Sequence, residues 1–136
     1  MELGELFLGQ IAAGGSGHTY GQSTGHMLQP IISPFHQGCI SFTLDELVEN
    51  GSIPCPDNIK IDVDGIEHKV TQGLMKTLEN DTVKSVLIEL NTHLEEHRSL
   101  IGELTDLGFE LREEVLETSL PKDGVWEGIG NHIFYR

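Results

Sequence analysis

Three carboxylates, Asp62, Asp64 and Glu67, fall close together in the stretch Ile59-Lys60-Ile61-Asp62-Val63-Asp64-Gly65-Ile66-Glu67-His68-Lys69-Val70. Acids at this spacing have two chemical uses. One carboxylate can take the proton of a hydroxyl as a general base. A D-x-D pair such as Asp62-Val63-Asp64 can instead hold a divalent cation for nucleotide-sugar transfer. A structural reading stands beside these. Asp64 and Glu67 would favour the positive end of a helix dipole, and Asp62 would cap a turn. Spacing alone leaves site and structural role evenly matched.

The elements that must position these acids are legible around them. Ile59, Ile61 and Val63 are β-branched and alternate with Lys60 and Asp62, which predicts a strand. Gly65 supplies a turn. Ile66, Val70, Leu74 and Leu78 then share one helical face, which predicts a helix over 66–79. An Asn80-Asp81 turn leads into Val83 to Leu90, which reads as a buried strand ending near Glu89. Strand, helix and strand in succession make a βαβ unit, with strands near 59–63 and 84–90 expected to be parallel. The acids then lie at the carboxyl end of a strand, where open α/β sheets bind their ligands, and Glu89 ends the next strand beside them.

The remaining elements are shorter. Glu5 to Ile11 reads as a strand, and Gly38 to Phe42 as another, with residues 22–40 otherwise irregular because Pro30, Pro34 and Gly38 interrupt them. Thr43 and Glu46 form a capping box for a helix over 44–50, stopped at Asn50-Gly51. Leu100, Leu104 and Leu107 predict a helix over 95–107, ended by Gly108. Phe109 to Glu117 and Asn131 to Tyr135 read as strands that pair as a C-terminal antiparallel hairpin.

Other motifs have less support. Gly14-Gly15-Ser16-Gly17-His18 lies in a stretch with four glycines in eight residues, so its backbone can approach a ligand closely. It lacks a phosphate-loop Lys, and His18 stands where a G-x-S-x-G elbow needs Gly. His93-Leu94-Glu95-Glu96-His97 fits H-x-x-E-H, a zinc pattern, but it begins where a helix is only starting. His68 reads as a helix-surface residue. Trp126 is as compatible with a pocket wall as with a plug at the sheet end. Cys39 and Cys55 have neither metal-ligand spacing nor a disulfide framework.

Composition bounds the function. The 136 residues, 38% of them hydrophobic, suit one modest domain. Its first 40 residues form a Gly-rich, partly irregular segment. The net charge of −14, with only 8 Lys and Arg, argues against nucleic acid or an anionic membrane as a partner. No apolar run approaches transmembrane length and no secretory segment opens the chain, so a cytoplasmic setting is expected.

The acidic stretch also resembles the fourth-strand signature of the FkbM-type methyltransferases, which use S-adenosylmethionine to methylate hydroxyl groups on a Rossmann-like sheet. That family more often has Glu at the position of Asp64 and a small residue at that of Ile66. Further segments resemble it in order: Thr43-Leu44-Asp45-Glu46-Leu47, Val86-Leu87-Ile88-Glu89, Leu107-Gly108-Phe109 and Asn131-His132-Ile133-Phe134. The resemblance spans residues 41–136. It implies catalytic roles for Asp62, Asp64 and Glu67, a donor contact at Asp62, and acceptor contacts at Ser16, His18 and Glu89. The acceptor it implies is a small molecule, a sugar or polyketide-like hydroxyl compound, and no resident metal is expected.

The family's N-terminal half, a strand, glycine-rich turn and helix that hold the donor, has no counterpart here. The expected fold is therefore α/β with an incomplete Rossmann-like methyltransferase sheet. The Ile59 strand would be an apolar edge, open to a second copy or a partner chain, and the chain alone is expected to bind S-adenosylmethionine poorly. Two other functions fit the same residues: a divalent-metal glycosyltransferase using Asp62 and Asp64, and a non-catalytic half-domain that acts in assembly.

Overall fold

A computed structural model describes residues 1–9, 18–23, 29–30, 32–63, 65–112, 124 and 127–136. The architecture is mixed α/β with parallel and antiparallel strands. Strands β1 (Glu2–Leu8), β2 (His18–Tyr20) and β3 (Phe35–Ser41) form one antiparallel sheet in the order β2-β1-β3. Helix α1 (Leu44–Glu49) follows, then β4 (Asn58–Ile61), α2 (Glu67–Gln72), α3 (Met75–Leu78), β5 (Ser85–Asn91), α4 (Glu95–Asp106), β6 (Glu110–Leu111) and β7 (Ile129–Tyr135). The second sheet has the order β4-β5-β7-β6.

The βαβ expectation holds. β4 and β5 are parallel, with Ile59 opposite Val86 and Ile61 opposite Ile88. β6 and β7 are antiparallel as expected, but β7 also pairs antiparallel with β5 and so lies between β5 and β6. That order leaves β4 at the edge of its sheet.

Three expectations need correction. The helix predicted over 66–79 is two helices, α2 and α3, broken at Gly73 and Leu74. Glycine is a poor helix residue, and the Thr71 hydroxyl donates to the Glu67 carbonyl at 2.8 Å, a back-bond that disfavours a straight continuation. The apolar face survives the break, with Ile66, Leu74 and Leu78 all buried. The stretch 22–40 is also less irregular than expected, because β3 begins at Phe35 and pairs along the full length of β1. The first strand starts at Glu2 rather than Glu5. The expected continuation of β6 over residues 113–117 lies outside the described residues.

The core explains why the helices sit where they do. Val86, Ile88 and Leu90 point from β5 to one face and meet Leu74, Leu78, Leu100 and Leu104 from the helices. Phe109 and Phe134 close the same cluster. Alternation puts Leu87 and Glu89 on the opposite face, half-buried. The capping box forms as read: the Thr43 hydroxyl accepts from the Glu46 N–H at 3.1 Å, and the Glu46 carboxylate accepts from the Thr43 N–H at 3.1 Å. Asp45 reaches across to α3 and accepts from the first-turn N–H groups of Lys76 and Thr77, donors that have no partner within the helix. Among the described residues, no helix is long and apolar enough to cross a membrane.

Candidate functional site

The acidic stretch folds into a turn between β4 and α2. Gly65 has φ 107°, a conformation that residues with a Cβ adopt only with strain. The Glu67 carboxylate turns back from the first position of α2 and accepts from two backbone N–H groups, Val63 at 3.1 Å and Gly65 at 3.0 Å. Glu67 is 1% exposed. A buried carboxylate needs such donors, and two amides aimed at its oxygens supply them.

A further polar neighbour comes from α4. His97, also 1% exposed, places Nε2 3.4 Å from Glu67 Oε2 and 3.3 Å from the Gly65 carbonyl. Its Nδ1 accepts from the Asn91 N–H at 3.0 Å, at the end of β5. A nitrogen that accepts carries no proton, so this bonding pattern assigns a neutral ring with its hydrogen on Nε2. The turn after β4 is thereby tied to the turn after β5. The β5 turn is fixed in its own right: the Thr92 N–H and hydroxyl both donate to the Gly128 carbonyl, at 2.8 and 3.0 Å, and the His93 N–H donates to Asn91 Oδ1 at 3.0 Å.

The three acids are therefore not equivalent. Asp62 is exposed, and its Oδ2 lies 2.8 Å from Lys60 Nζ. The hydrogen bond and charge of Asp62, with a smaller contribution from Glu89, hold Lys60 above the usual lysine range. Asp62, Lys60 and Glu89 thus share the sheet face opposite the helices, whereas Glu67 is buried with His97 in a separate cluster. Asp64 and Ser16 lie outside the described residues, as does Trp126. His18 sits on β2 in the other sheet, with Nδ1 buried and without a partner.

The histidines of the zinc-like pattern serve other ends. His93 precedes α4, and its Nε2 lies 3.0 Å from the Glu127 carbonyl, while His97 faces Gly65 and Glu67. Among the described residues, no cluster of three or more His, Cys, Asp or Glu is placed to hold a metal ion. His68, expected on the surface, is half-buried, with its ring centroid 5.6 Å from that of His97. Burial, and then the neighbouring His97, hold its pKa below the usual histidine range. His132, 1% exposed on β7, is likewise held down, chiefly by burial.

Spacing gave no sign of the partnership between Glu67 and His97, because thirty positions separate them and only the packing of α4 beside α2 brings them together. Lys60 was legible as a strand residue only; its ion pair with Asp62 and the weaker influence of Glu89 follow from the sheet face they share.

Two concavities adjoin this region. A groove of about 570 Å³ runs along the β4 edge, lined by Pro56, Ile59, Ile61, Asp62, Val63 and Val70 among others. A larger pocket of about 870 Å³ is walled by Tyr20 and Phe42 from the first sheet and by Leu47, Ile66, Val70 and Leu74 from the helices. Leu44, Val70 and Leu74 line both.

Comparison with known proteins adds one match. The family model of the methyltransferase FkbM domain matches residues 36–111, which run from β3 through β6 and include Asp62, Glu67, Glu89 and His97. No curated protein and no solved structure matches the chain. With more than half of its length matched by that family model, the chain belongs to the FkbM methyltransferase domain family.

Proposed function

We propose that the chain forms the acceptor-side half of an S-adenosylmethionine-dependent O-methyltransferase whose acceptor is the hydroxyl group of a sugar or polyketide-like small molecule. The observation that carries this reading is the place of Asp62: an exposed carboxylate at the carboxyl end of a parallel strand that is also a sheet edge. In doubly wound sheets that end of the strand, where the order reverses, is where ligands bind. The order β4-β5-β7-β6 is compatible with half of a Rossmann-like sheet whose remaining strands would pair along β4.

Methyltransferases in general draw their methyl group from S-adenosylmethionine, which when bound supplies an electrophilic methyl on a sulfonium. The residues present fit one side of such a donor. Asp62 offers a negative group for a cationic centre, and the adjoining apolar groove is within the size range of small-molecule sites. Asp62 would also take the proton of the acceptor hydroxyl as its oxygen gains the methyl group and the S–CH3 bond breaks to leave a neutral thioether, which requires the oxygen to be held in line with the methyl group. On sequence alone, Asp64 is a second candidate for that proton. Glu89, half-buried beside Lys60, contacts the acceptor, and Glu67 acts through the shape of the turn.

Replacing Asp62 with Asn tests this directly. In an enzyme completed by a donor-binding half, transfer of labelled methyl from S-adenosylmethionine to hydroxyl acceptors is expected to fall by at least about a hundredfold, the scale of a lost general base, with the circular dichroism unchanged. Full activity in Asp62→Asn would sink the assignment. A second reading draws on the edge position of β4 among the described strands, since an edge strand is a template for another strand. In that reading the chain is an assembly module completed by a second copy or a partner chain. It predicts a stable complex paired through Asn58–Ile61 and no transfer by the chain alone.

A further inference from the structure

Asp62 of the proposed site lies between β4 and α2, and among the described residues few side chains hold the backbone there in place. Val63 is half-buried and Asp62 is exposed. The fixed points there are the two N–H groups given to Glu67 and the Gly65 carbonyl given to His97. Glu67 holds the amides and His97 holds the carbonyl, and the two meet at 3.4 Å in a site closed to water. His97 is anchored in turn by Asn91 at the end of β5, so the turn takes its position from the core strand and not only from the edge strand that precedes it.

We propose that His97 is a positioning residue for methyl transfer: as the neutral Nε2–H tautomer it bridges the end of β5 to Gly65 and Glu67, and so sets where Asp62 is presented at the edge of the sheet. This rests on the reading of Asp62 as the reacting carboxylate. The geometry makes a specific demand on the side chain at position 97. An Nδ1-like acceptor must meet the Asn91 N–H, and an Nε2-like donor must reach Gly65 and Glu67. Glutamine places a donor at about the Nε2 position. Asparagine places its polar atoms only near Nδ1. Asparagine is also smaller than histidine, so His97→Met, which matches glutamine in volume and lacks its donor, separates the hydrogen bond from the filling of space.

The test is amide hydrogen exchange on the full chain, followed residue by residue by NMR, in the wild type, His97→Gln, His97→Asn and His97→Met. Val63 and Gly65 are expected to lose about tenfold in protection in His97→Asn and His97→Met and clearly less in His97→Gln, which keeps the donor but not the acceptor for Asn91, with the β5 amides of Ile88 and Leu90 unchanged in all three. Equal behaviour of His97→Gln and His97→Met, unchanged protection in His97→Asn, or loss spread evenly over β5 overturns the proposal. The wild-type imidazole 15N spectrum at neutral pH tests it even where a variant does not fold: an Nε2–H tautomer for His97 is expected, and an Nδ1–H tautomer or an imidazolium overturns it. None of these readouts needs donor or activity. An Asp62→Asn chain that retains transfer therefore defeats the functional reading while leaving the positioning of the turn intact.

Discussion

At the level of single residues, burial decides what each titratable group near the site can do. Asp62 stays in solvent beside Lys60 and remains available to a ligand, whereas Glu67 and His97 have given their polar atoms to the backbone and to each other. His68 and His132 have buried ring nitrogens without partners, Nδ1 and Nε2 respectively, and burial holds both below the usual histidine pKa. The unfolded chain binds these protons near pH about 6.5. Below that pH the unfolded state takes up protons that the folded state refuses, so stability falls with acidification through this window; above it, both states are neutral and the histidines contribute no slope. Urea midpoints at pH 7.5 and pH 5.5 check this. The acid-induced drop is expected to shrink in His132→Gln and in His68→Gln, and a drop identical to wild type in both would show that neither histidine is responsible.

At the level of elements, the strand ends are held by a few polar clamps rather than by long helices. Arg136 is the clearest case. Its guanidinium donates to the carbonyls of Leu78 and Asn80 at 2.6 Å, Val83 at 3.0 Å and Leu107 at 3.1 Å, and it stacks over Phe109 at 4.3 Å. One side chain thus joins the end of α3, the approach to β5, the end of α4 and the start of β6. Arg136→Ala is expected to lower unfolding stability by about 1–3 kcal/mol, since several carbonyls lose a charged donor. A change under about 0.5 kcal/mol in the urea midpoint analysis would show that water replaces the clamp freely. The elements themselves were largely legible where the signal is local. Alternation placed β4, the Thr43–Glu46 box placed α1, and the Leu100–Leu104 spacing placed α4. The Gly73 break was hidden because the apolar spacing of Ile66, Leu74 and Leu78 runs through it. The first half of β3 was hidden because Phe35, His36 and Gln37 are exposed and follow Pro34, and their pairing with β1 is set by tertiary contact. In the site, the strand-end position of Asp62 could be read from Ile59 to Gly65. The burial of Glu67 could not, because its partner His97 arrives from another element.

At the level of the whole molecule, the chain is a two-sheet α/β protein of the FkbM methyltransferase domain family, with its candidate site at the free edge of the second sheet. The groove along β4 and the larger apolar pocket meet at Leu44, Val70 and Leu74, so a ligand at Asp62 has apolar surface on one side and the carboxylates on the other. A site with one wall is expected to bind donor weakly, at about the millimolar level, which NMR detects. The most direct measurement is therefore a titration of the 15N-labelled chain with S-adenosylhomocysteine, which keeps the donor's adenosine and amino acid without the reactive methyl. The account predicts shifts concentrated at the amides of Lys60, Asp62, Val63 and Gly65, reduced in Asp62→Asn. Shifts confined to other parts of the folded chain, or none up to the solubility of the ligand, would contradict the placement of the donor at the end of β4.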